Sequence, residues 1–467
     1  MAAMTGGISE LDLMNRAGRA VVDVICDRFP PQPAAVLCGP GNNGGDGYVI
    51  AAGLKARGWE VWAEPLAQPA TATARAAKAA WTGDTLAWGQ GDRVPSLIVD
   101  ALFGVGLDRP LPLPAAQRAR TLSQKSVTMV AVDLPSGLEG NTGRSPGDVS
   151  FRADLTVTFH AKKPAHVLQP GQGRCGEVVV VDIGLEPAGT KLIENSPEAW
   201  LDQFPWPDSS SHKYARGRLA VVSGGAWNTG AARLSARAGL RAGAGAVTLL
   251  SPPEALLPNA AHLEAVMLCP FESDQDLRLL AEEMDSVVIG PAAGLTEATR
   301  RNTLALTRTG AALVIDADAI TVFRDDPGEL FSALDMDDVL TPHVGEFDRI
   351  FPGYLASAPE RISAVRRAAR KAGAIVLLKG ADTVIAHPDG RAAINGHGSP
   401  WLATAGSGDV LAGVIAGLMA QGMDSFDAAC AGAWIHTEAG DLHGPGLIAE
   451  DLPGLLPRVL KRLYGWG

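Results

Sequence analysis

Residues 38–48 read C-G-P-G-N-N-G-G-D-G-Y, and this glycine-rich segment is the most informative feature of the N-terminal half. An apolar run at residues 34–37 precedes it, and a helical pattern at residues 48–55 follows it. This order predicts a strand, a glycine-rich turn and a helix, with bare backbone N–H groups facing an anion at the helix N-terminus. The paired asparagines and the aspartate are less generic, because a plain phosphate-binding turn does not need their amide and carboxylate groups.

Three glycines of this stretch, Gly39, Gly41 and Gly44, also fit the dinucleotide-binding pattern G-x-G-x-x-G. Glu64 follows about 20 residues later, where that pattern places an acidic residue. The match has little specificity on its own, and it leaves an NAD-dependent dehydrogenase open as one alternative.

Length, charge and cysteine content restrict the class of protein. A chain of 467 residues predicts two domains, each large enough for its own core. The net charge of −11 and the lack of a basic run argue against nucleic-acid binding. The five cysteines have no zinc or disulfide spacing, which indicates a reducing, cytoplasmic location. We find neither a signal-peptide pattern nor an apolar run of about 18 residues, and we expect no membrane segment.

Strand patterns alternate with helical patterns along the chain, which predicts α/β domains with mostly parallel sheets. The first six strands are predicted at residues 34–37, 60–66, 97–100, 128–133, 155–159 and 178–183. A second series is predicted at residues 219–223, 246–250, 287–289, 313–315, 339–340, 375–378 and 383–386. F-P-W-P-D-S-S-S at residues 204–211 resembles a linker, and we place the domain boundary there, giving domains 1–205 and 206–467.

Polar residues follow several strands of the first domain, which we expect to be a Rossmann-like three-layer domain. Asp100 lies within V-D-A-L-F-G-V-G-L, and Asp133 begins D-L-P-S-G, with Ser136 three residues later. Ligands of open parallel sheets bind at the carboxyl ends of the strands, so Asp46, Asp100 and Asp133 are predicted to share one crevice. Because three carboxylates in one pocket repel each other, a cation or a shifted protonation state is expected.

In this order, G-N-N-G-G-D-G, V-D-A-L-F-G-V-G-L and V-D-L-P-S-G resemble the NAD(P)H-hydrate epimerase family over residues 9–185. The resemblance implies a pocket for hydrated NADH or NADPH and for a potassium ion. The potassium ligands would be Asn43, Asp100 and Ser136, and Asp133 would shuttle the proton. The implied substrate contacts are Asn42, Asn43, Gly44, Gly45, Asp46, Gly104, Val105, Gly106, Leu107 and Asp133.

In the second half, A-T-A-G-S-G-D-V-L at residues 403–411 opens a helix of small and apolar residues. Gly406, Ser407 and Gly408 would present N–H groups as an anion hole, and Asp409 falls in the first turn, where the helix dipole favours its ionised form. The segment resembles the signature of ribokinase-type kinases, in which the aspartate accepts the proton of the hydroxyl that is phosphorylated. A ribokinase-like α/β fold is therefore expected here; an ordinary glycine-rich helix start is the structural alternative.

Further motifs, among them D-A-D-A at 316–319, T-P-H-V-G-E at 341–346 and K-G-A-D-T at 379–383, resemble the nucleotide-dependent NAD(P)H-hydrate dehydratase over residues 210–455. Vitamin kinases of this fold have asparagine where His343 stands. The resemblance implies that Glu346 organises magnesium. The implied hydrate contacts are Ala244, Gly294, His343 and Asp409. The implied nucleotide contacts are Lys379, Gly380, Ala381, Asp382, Thr383, Gly406 and Gly408.

Some residues have a second interpretation. His343 could be a satisfied core histidine instead of a ligand. Lys162 and Lys163 could steer phosphates, but a solvated strand end is the favoured interpretation. His436 and His443 carry no signal. Ala292, in G-P-A-A-G at residues 290–294, stands where the family has glycine, so the backbone there is expected to approach the ligand differently.

Together the two resemblances predict a bifunctional metabolite-repair enzyme. Its first domain would interconvert the R and S hydrates, and its second would dehydrate the S hydrate with ADP, or with ATP, releasing AMP or ADP and phosphate. K⁺ and Mg²⁺ would be required, and a homo-oligomer is expected. Three alternatives stay open: a kinase that releases a phosphorylated alcohol, the dehydrogenase, and a nucleotide-sensing or partner-binding module without catalysis.

Overall fold

The computed structural model describes residues 7–89, 93–186 and 189–465. The chain divides into two compact units, Met1–Thr190 and Lys191–Gly467. Residues 191–205, which the sequence-based boundary assigned to the first domain, therefore belong to the second unit. The reason is that residues 192–194 pair in parallel with residues 392–394 of the second sheet, and Trp200 is buried in the second core. A short edge strand of this kind has no pattern that marks its partner.

The first unit contains a seven-stranded sheet in the order β3-β2-β1-β4-β5-β6-β7, and every neighbouring pair is parallel. Its strands are β1 (Ala34–Cys38), β2 (Val61–Pro65), β3 (Asp84–Thr85), β4 (Leu97–Ala101), β5 (Thr128–Val132), β6 (Leu155–Phe159) and β7 (Glu177–Val181). The six predicted strands are confirmed. The two-residue β3 was not predicted, because both of its residues are exposed and polar.

Helices cover both faces of this sheet, which confirms the three-layer prediction. The helices are α1 (Glu10–Arg28), α2 (Asn42–Ala56), α3 (Ala72–Ala80), α4 (Leu113–Leu122) and α5 (Gln172–Cys175). Alternate residues of β1 face the two layers: Val36 packs in the cluster with α1 and α2, and Leu37 packs in the cluster with α4. The strand order reverses between β1 and β4, so the ligand crevice of such a sheet lies at their carboxyl ends.

Helix α2 begins at Asn42, earlier than the predicted helical pattern. The turn before it is tight: a Cβ on Gly44 would lie 1.8 Å from the carbonyl oxygen of Gly39, and a Cβ on Gly39 would lie 1.8 Å from that of Leu102. Only glycine tolerates this approach. Asn43 and Asp46 therefore lie on the first turns of a helix, and their side chains are fixed by it.

The second unit contains a ten-stranded sheet in the order β11-β10-β9-β12-β13-β14-β15-β16-β17-β8. Pairing is parallel from β11 to β15, antiparallel on both sides of β16, and parallel between β17 and β8. Its strands are β8 (Leu192–Glu194), β9 (Arg218–Val222), β10 (Ala246–Ser251), β11 (Met267–Pro270), β12 (Ser286–Ile289), β13 (Ala312–Ile315), β14 (Val339–Leu340), β15 (Ile375–Leu378), β16 (Thr383–Ala386) and β17 (Ala392–Asn395).

Twelve helices accompany this sheet in the described part of the second unit. They are α6 (Gly230–Ala242), α7 (Leu256–Ala260), α8 (Asp274–Ala281), α9 (Glu297–Leu306), α10 (Asp318–Thr321), α11 (Pro327–Phe331), α12 (Val344–Ile350), α13 (Tyr354–Ser357), α14 (Arg361–Ala372), α15 (Ser407–Ala420), α16 (Ser425–His443) and α17 (Leu452–Tyr464).

Helices α6 and α15 pack against each other through backbone. A Cβ on Gly413 would lie 2.1 Å from the carbonyl oxygen of Ser235, and one on Gly417 would lie 2.7 Å from that of Gly239. Because both contacts advance by four residues, the two helices run side by side in the same direction. The N-terminus of α6 therefore lies at the same edge of the sheet as the N-terminus of α15.

Among the described residues, no helix combines the length and the apolar character needed to cross a bilayer. All five cysteines are free, and Cys38, Cys175 and Cys430 are buried, as expected for small apolar side chains.

Candidate functional site

The first candidate site lies where β1 and β4 diverge, at the carboxyl edge of the first sheet. Asp100 is the fourth residue of β4, and Asp133 directly follows β5 with a φ of +67°, a conformation that aspartate rarely adopts. The structure thus brings Asp46, Asp100 and Asp133 to one edge, as predicted.

Asp133 is surrounded by donors. Its Oδ1 lies 2.7 Å from Nζ of Lys163 and accepts a 2.9 Å hydrogen bond from Oγ1 of Thr158, while Oδ2 accepts from the backbone N–H of Val105 at 3.1 Å. Burial opposes ionisation of Asp133, but the Lys163 ammonium and these hydrogen bonds outweigh it and hold the pKa of this carboxyl below its usual range. Asp133 is therefore a fixed, ionised carboxylate.

Lys163 was interpreted from the sequence as part of a solvated strand end, and that interpretation is wrong. Its ammonium group is largely buried and also donates to Thr158 Oγ1 at 2.7 Å and to the carbonyl oxygen of Phe159 at 3.1 Å. One signal could have identified it. Lys163 follows β6, whose carboxyl end lies beside that of β5, so it falls at the same edge as Asp133.

His166 locks this ion pair in place. Its Nε2 lies 2.8 Å from the carbonyl oxygen of Asp133, and its Nδ1 accepts from the backbone N–H of Lys163 at 2.9 Å. Burial lowers the pKa of His166 to about 4, so the ring is neutral, with its proton on Nε2. One side chain therefore connects the backbone of the aspartate with that of the lysine.

Asp100 and Ser136 form a second polar cluster at this edge. Asp100 Oδ1 accepts from Ser136 Oγ at 2.6 Å and Oδ2 accepts from Ser136 N–H at 2.8 Å, while the Phe103 carbonyl oxygen lies 3.2 Å from Ser136 Oγ. Burial raises the pKa of Asp100 to about 6. Four hard oxygens, two from Asp100 and one each from Ser136 and Phe103, are thus concentrated at this edge.

Asn43 and Asp133 lie on either side of Gly104. A Cβ on Gly104 would lie 2.9 Å from Asp133 Oδ2 and 3.4 Å from Asn43 Oδ1, so the two side chains flank this glycine. The buried Nδ2 of Asn43 has no hydrogen-bond partner among the described residues. Of the residues that follow Gly104, Val105 and Gly106 are exposed, and Leu107 is buried.

The remaining residues of the asparagine–glycine stretch have structural contacts. Burial, and then the charge of Asp133, raise the pKa of Asp46 well above its usual range, so protonation relieves the predicted repulsion. Asn42 is exposed and its Oδ1 accepts from Thr71 and Thr73, at the start of α3. Gly44 packs on Gly39 as described above, and a Cβ on Gly45 would lie 2.4 Å from Met14 Cε.

Glu64 does not have the role that the dinucleotide pattern predicted. Its buried carboxylate accepts from Trp62 Nε1 at 3.1 Å, from Gly89 N–H at 3.4 Å and from Arg118 Nη2 at 3.2 Å. Both oxygens of the buried carboxylate thus accept from groups of the protein. This observation argues against the role that the dinucleotide pattern gives to Glu64.

The second candidate site lies at the N-terminus of α15. Gly406 is the N-cap with a φ of +88°, and Asp409 follows in the first turn. Lys379 Nζ forms a 2.7 Å ion pair with Oδ1 of Asp316 and would lie 3.3 Å from a Cβ on Gly408. The lysine, Asp316 and Asp409 therefore meet at the anion hole.

This arrangement shifts the protonation of Asp409. Burial and the nearby charge of Asp316 raise its pKa to about 6, and the Lys379 ammonium opposes them only in part. Burial acts against the charge of Lys379, but Asp316, Glu346 and Asp409 outweigh burial and raise the pKa of Lys379 above its usual range. The lysine therefore stays charged while Asp409 titrates near neutrality.

The motif D-A-D-A contains Asp316 but does not by itself indicate a role for it. The signal was present: Asp316 directly follows the buried strand β13, as Asp133 follows β5. The next residue, Ala317, has a φ of +47°, so the backbone is strained immediately beside the ion pair. Asp318 Oδ2 accepts from Gly294 N–H at 2.8 Å and holds that loop at the same edge.

His343 is the N-cap of α12 and is not a core histidine. Its side chain is half exposed, and Nδ1 accepts from the N–H of Gly345 at 2.9 Å while Glu346 Oε2 accepts from the N–H of His343 at 2.8 Å. Glu346 is buried by this reciprocal cap. Among the described residues, no three side chains of histidine, cysteine, aspartate or glutamate form a metal-chelating group.

The predicted nucleotide segment is the hairpin between β15 and β16. Gly380 N–H donates to Thr383 Oγ1 at 3.2 Å, which closes the turn, and buried Asp382 forms a 2.9 Å ion pair with Arg361. Arg361 also donates to the carbonyl oxygen of Lys379, and Ala381 packs on Gly398. The segment is therefore a rigid loop that begins at the site lysine.

Two further predictions concern backbone positions. Ala292 has a φ of +52°, a conformation that glycine adopts more readily than alanine. Ala244 lies two residues before β10, at the amino edge of the sheet, whereas Asp316 and Asp409 lie at the carboxyl edge. Its contact with the hydrate stays a prediction.

Known proteins resemble both units. Residues 219–455 match the family model described as NAD(P)H-hydrate dehydratase, and residues 10–165 match the model described as YjeF-related protein N-terminus. Among solved structures, a ribokinase-like superfamily protein from Enterococcus faecalis has a TM-score of 0.53 and 26% identity, covering 60% of this chain and 98% of that one. The ADP/ATP-dependent NAD(P)H-hydrate dehydratase from Bacillus subtilis, co-crystallised with ATP and Mg²⁺, has the same fold, with a TM-score of 0.50, 24% identity, and coverage of 59% and 100%.

Full-length relatives contain both parts. The bifunctional NAD(P)H-hydrate repair enzyme Nnr of Moorella thermoacetica is 37% identical over 98% of this chain and 93% of its own length. The Escherichia coli protein of the same name is 34% identical over 97% of this chain and 90% of its own length. The chain belongs to the family of bifunctional NAD(P)H-hydrate repair enzymes.

Proposed function

We propose that this protein repairs hydrated NADH and NADPH in two reactions. The first unit interconverts the R and S hydrates, and the second dehydrates the S hydrate at the expense of ADP. The observation that carries the proposal is the position of Asp409, a carboxylate of pKa about 6 in the first turn of α15 beside the Lys379–Asp316 ion pair. A carboxylate with a pKa of about 6 can accept the proton of a sugar-like or ring hydroxyl near neutral pH.

Dehydration then follows from leaving-group chemistry. Asp409 takes the proton of the ring hydroxyl, and the oxygen attacks the terminal phosphorus of the nucleotide, so that AMP leaves ADP. The N–H groups at residues 406–408 donate to the oxygens of the transferring phosphoryl group. The lone pair of the ring nitrogen then expels phosphate, which is a better leaving group than hydroxide. The iminium ion that results loses a proton from the adjacent ring carbon, and the dihydropyridine is restored.

We propose that the hairpin from Lys379 to Thr383, with Gly406 and Gly408, holds the nucleotide. The hairpin is rigid and begins at the site lysine, which supports this assignment. ADP is proposed as the natural donor. Bound Mg²⁺ would neutralise phosphate charge, and buried Glu346, with a carboxylate near Lys379, is the residue proposed to organise it.

In the first unit we propose that Asp133 moves the proton during epimerisation, because Lys163 keeps it ionised and the backbone of Val105 orients it. Potassium would be held by Asn43, Asp100 and Ser136. The oxygens concentrated around Ser136 fit a hard monovalent cation, whose charge would offset the buried carboxylate of Asp100.

Replacing Lys163 with methionine should lower epimerisation about 100-fold, the usual scale of an acid–base contribution. Without the ammonium, burial is no longer offset, so the pKa of Asp133 rises and the acid limb of the epimerisation profile moves to higher pH. Chromatographic separation of the two epimers over time measures both effects. Lys162→Met removes the same charge one residue away and should leave the rate within about twofold. An unchanged rate and profile in Lys163→Met would contradict the role of the ion pair.

Replacing Asp409 with asparagine should lower dehydration about 1,000-fold and leave epimerisation intact, because the variant lacks only the base of the second unit. Recovery of NADPH absorbance reports dehydration, and phosphorus NMR separates a kinase, which leaves phosphate on its organic product, from a dehydratase, which releases it. Asp441→Asn, at an exposed position of α16, is the matched control. Loss of both activities in Asp409→Asn would contradict two independent sites.

The two reactions should differ in their pH dependence. Asp409 must be ionised to accept a proton and its pKa is about 6, so kcat/KM for dehydration should fall about tenfold per pH unit below pH 6. The pKa of Asp133 lies below its usual range, so epimerisation should hold its rate through pH 5. Initial rates from pH 5 to 8 at constant ionic strength measure both. A dehydration profile that is flat over this range would argue against Asp409 as the base.

A further inference from the structure

A groove with a volume of about 730 Å³ runs along the outer face of α6 in the second unit. Three arginines line it at four-residue intervals, Arg233, Arg237 and Arg241. Residues four apart lie on one face of a helix and rise about 6 Å per step, so the guanidinium groups form a row about 12 Å long. Leu234 and His262 contribute to the walls.

The row carries uncompensated positive charge. Within the described residues, no ion pair or hydrogen bond is formed by the side chains of these three arginines, although Glu264 and Glu450 also line the groove. Arg237 and Arg241 are exposed, and Arg233 is half-buried. In a chain with a net charge of −11, three neighbouring arginines without acidic partners mark a site for an anion.

One end of the groove lies beside the N-terminus of α15. A Cβ on Gly406 would lie 3.1 Å from Cδ1 of Leu234, which lines the groove, and 2.9 Å from Cβ of Ala449, which precedes the lining residue Glu450. Since α6 and α15 run side by side in the same direction, Arg233 lies nearest the edge that carries Asp409, and Arg241 lies farthest from it. A ligand whose reacting part is at Asp409 can therefore extend along the arginines.

Lys379, the cation nearest Asp409, is not placed to bind the phosphates of the dinucleotide. Lys379 is paired with Asp316 and lies against Gly408, on the nucleotide side of the anion hole. Hydrated NADPH carries a pyrophosphate and a further phosphate on its adenosine ribose, and these need cations of their own. Guanidinium groups bind phosphate oxygens in pairs, and a row of them suits several phosphates in sequence.

We propose that Arg233, Arg237 and Arg241 bind the phosphate groups of the dinucleotide while its hydrated ring lies at Asp409. This assignment rests on the dehydratase function proposed above and extends it to the substrate's phosphates. It also predicts that the hydrate of NADPH, which has one phosphate more than that of NADH, depends more strongly on the row.

The double variant R237A/R241A tests the assignment. We expect its KM for hydrated NADPH to rise at least tenfold, with kcat within about twofold and an unchanged KM for ADP, because only substrate contacts are lost. The KM for hydrated NADH should rise less. R301A, at an exposed position of α9, removes the same kind of charge away from the groove and should change nothing.

Binding of unmodified NADPH, followed by its fluorescence, provides a second readout that needs no catalysis. It should weaken about tenfold in R237A/R241A and remain as in wild type in R301A. A wild-type protein that binds NADPH through the row and dehydrates nothing would refute the proposed function and leave this inference standing. Unchanged KM and unchanged NADPH binding in the double variant would overturn the inference. If KM and NADPH binding are unchanged but light scattering shows a smaller oligomer than in wild type, the inference is overturned and the groove is a contact between copies of the chain.

Discussion

A buried lysine–aspartate ion pair at the carboxyl edge of each sheet is the interaction on which both sites depend. The pairs Lys163–Asp133 and Lys379–Asp316 each close at 2.7 Å. Neither charge could be buried alone without a large desolvation cost. The lysine and the aspartate of each pair therefore hold each other in place. The two units use the pair differently. In the first, the lysine binds the carboxylate of Asp133 and keeps it ionised. In the second, it binds a neighbouring aspartate, and Asp409 is left with a pKa near neutrality.

Backbone geometry supplies the precision that these pairs need. Glycine contacts hold the start of α2 against the ends of β1 and β4, and α6 against α15, at distances that exclude any side chain. Strain is concentrated next to the charges: Asp133 and Ala317 both have positive φ values, and each lies within one residue of an ion pair. The parallel strands bring these residues together because their carboxyl ends share one edge. Motifs that are far apart in the sequence therefore lie together at one edge of the sheet in each unit.

Much of this could be predicted from the sequence. Buried parallel strands have continuous apolar runs, so the strands that carry the sites were predicted within one or two residues, and the aspartates after them with the strands. Lys163 and Asp316 received no role because a charged residue after a strand looks the same whether it is solvated or paired. The edge strands β3 and β8 have no apolar pattern to reveal them. The early start of α2 could not be predicted, because it depends on the close approach of Gly39 and Gly44, which is a tertiary property. The motif that contains Ala244 does not show which edge of the sheet this residue occupies.

The central chemical claim is that the second unit turns a ring hydroxyl into a phosphate before it leaves. The most direct measurement uses the S hydrate of NADPH with ¹⁸O in that hydroxyl, incubated with the protein, ADP and Mg²⁺. Mass spectrometry of the released inorganic phosphate then shows where the oxygen went. Transfer of the label into phosphate, with one labelled phosphate per NADPH formed, is the expected result. Label found in water, with unlabelled phosphate, would show that the hydroxyl departs without being phosphorylated and would contradict the role assigned to Asp409 and its anion hole.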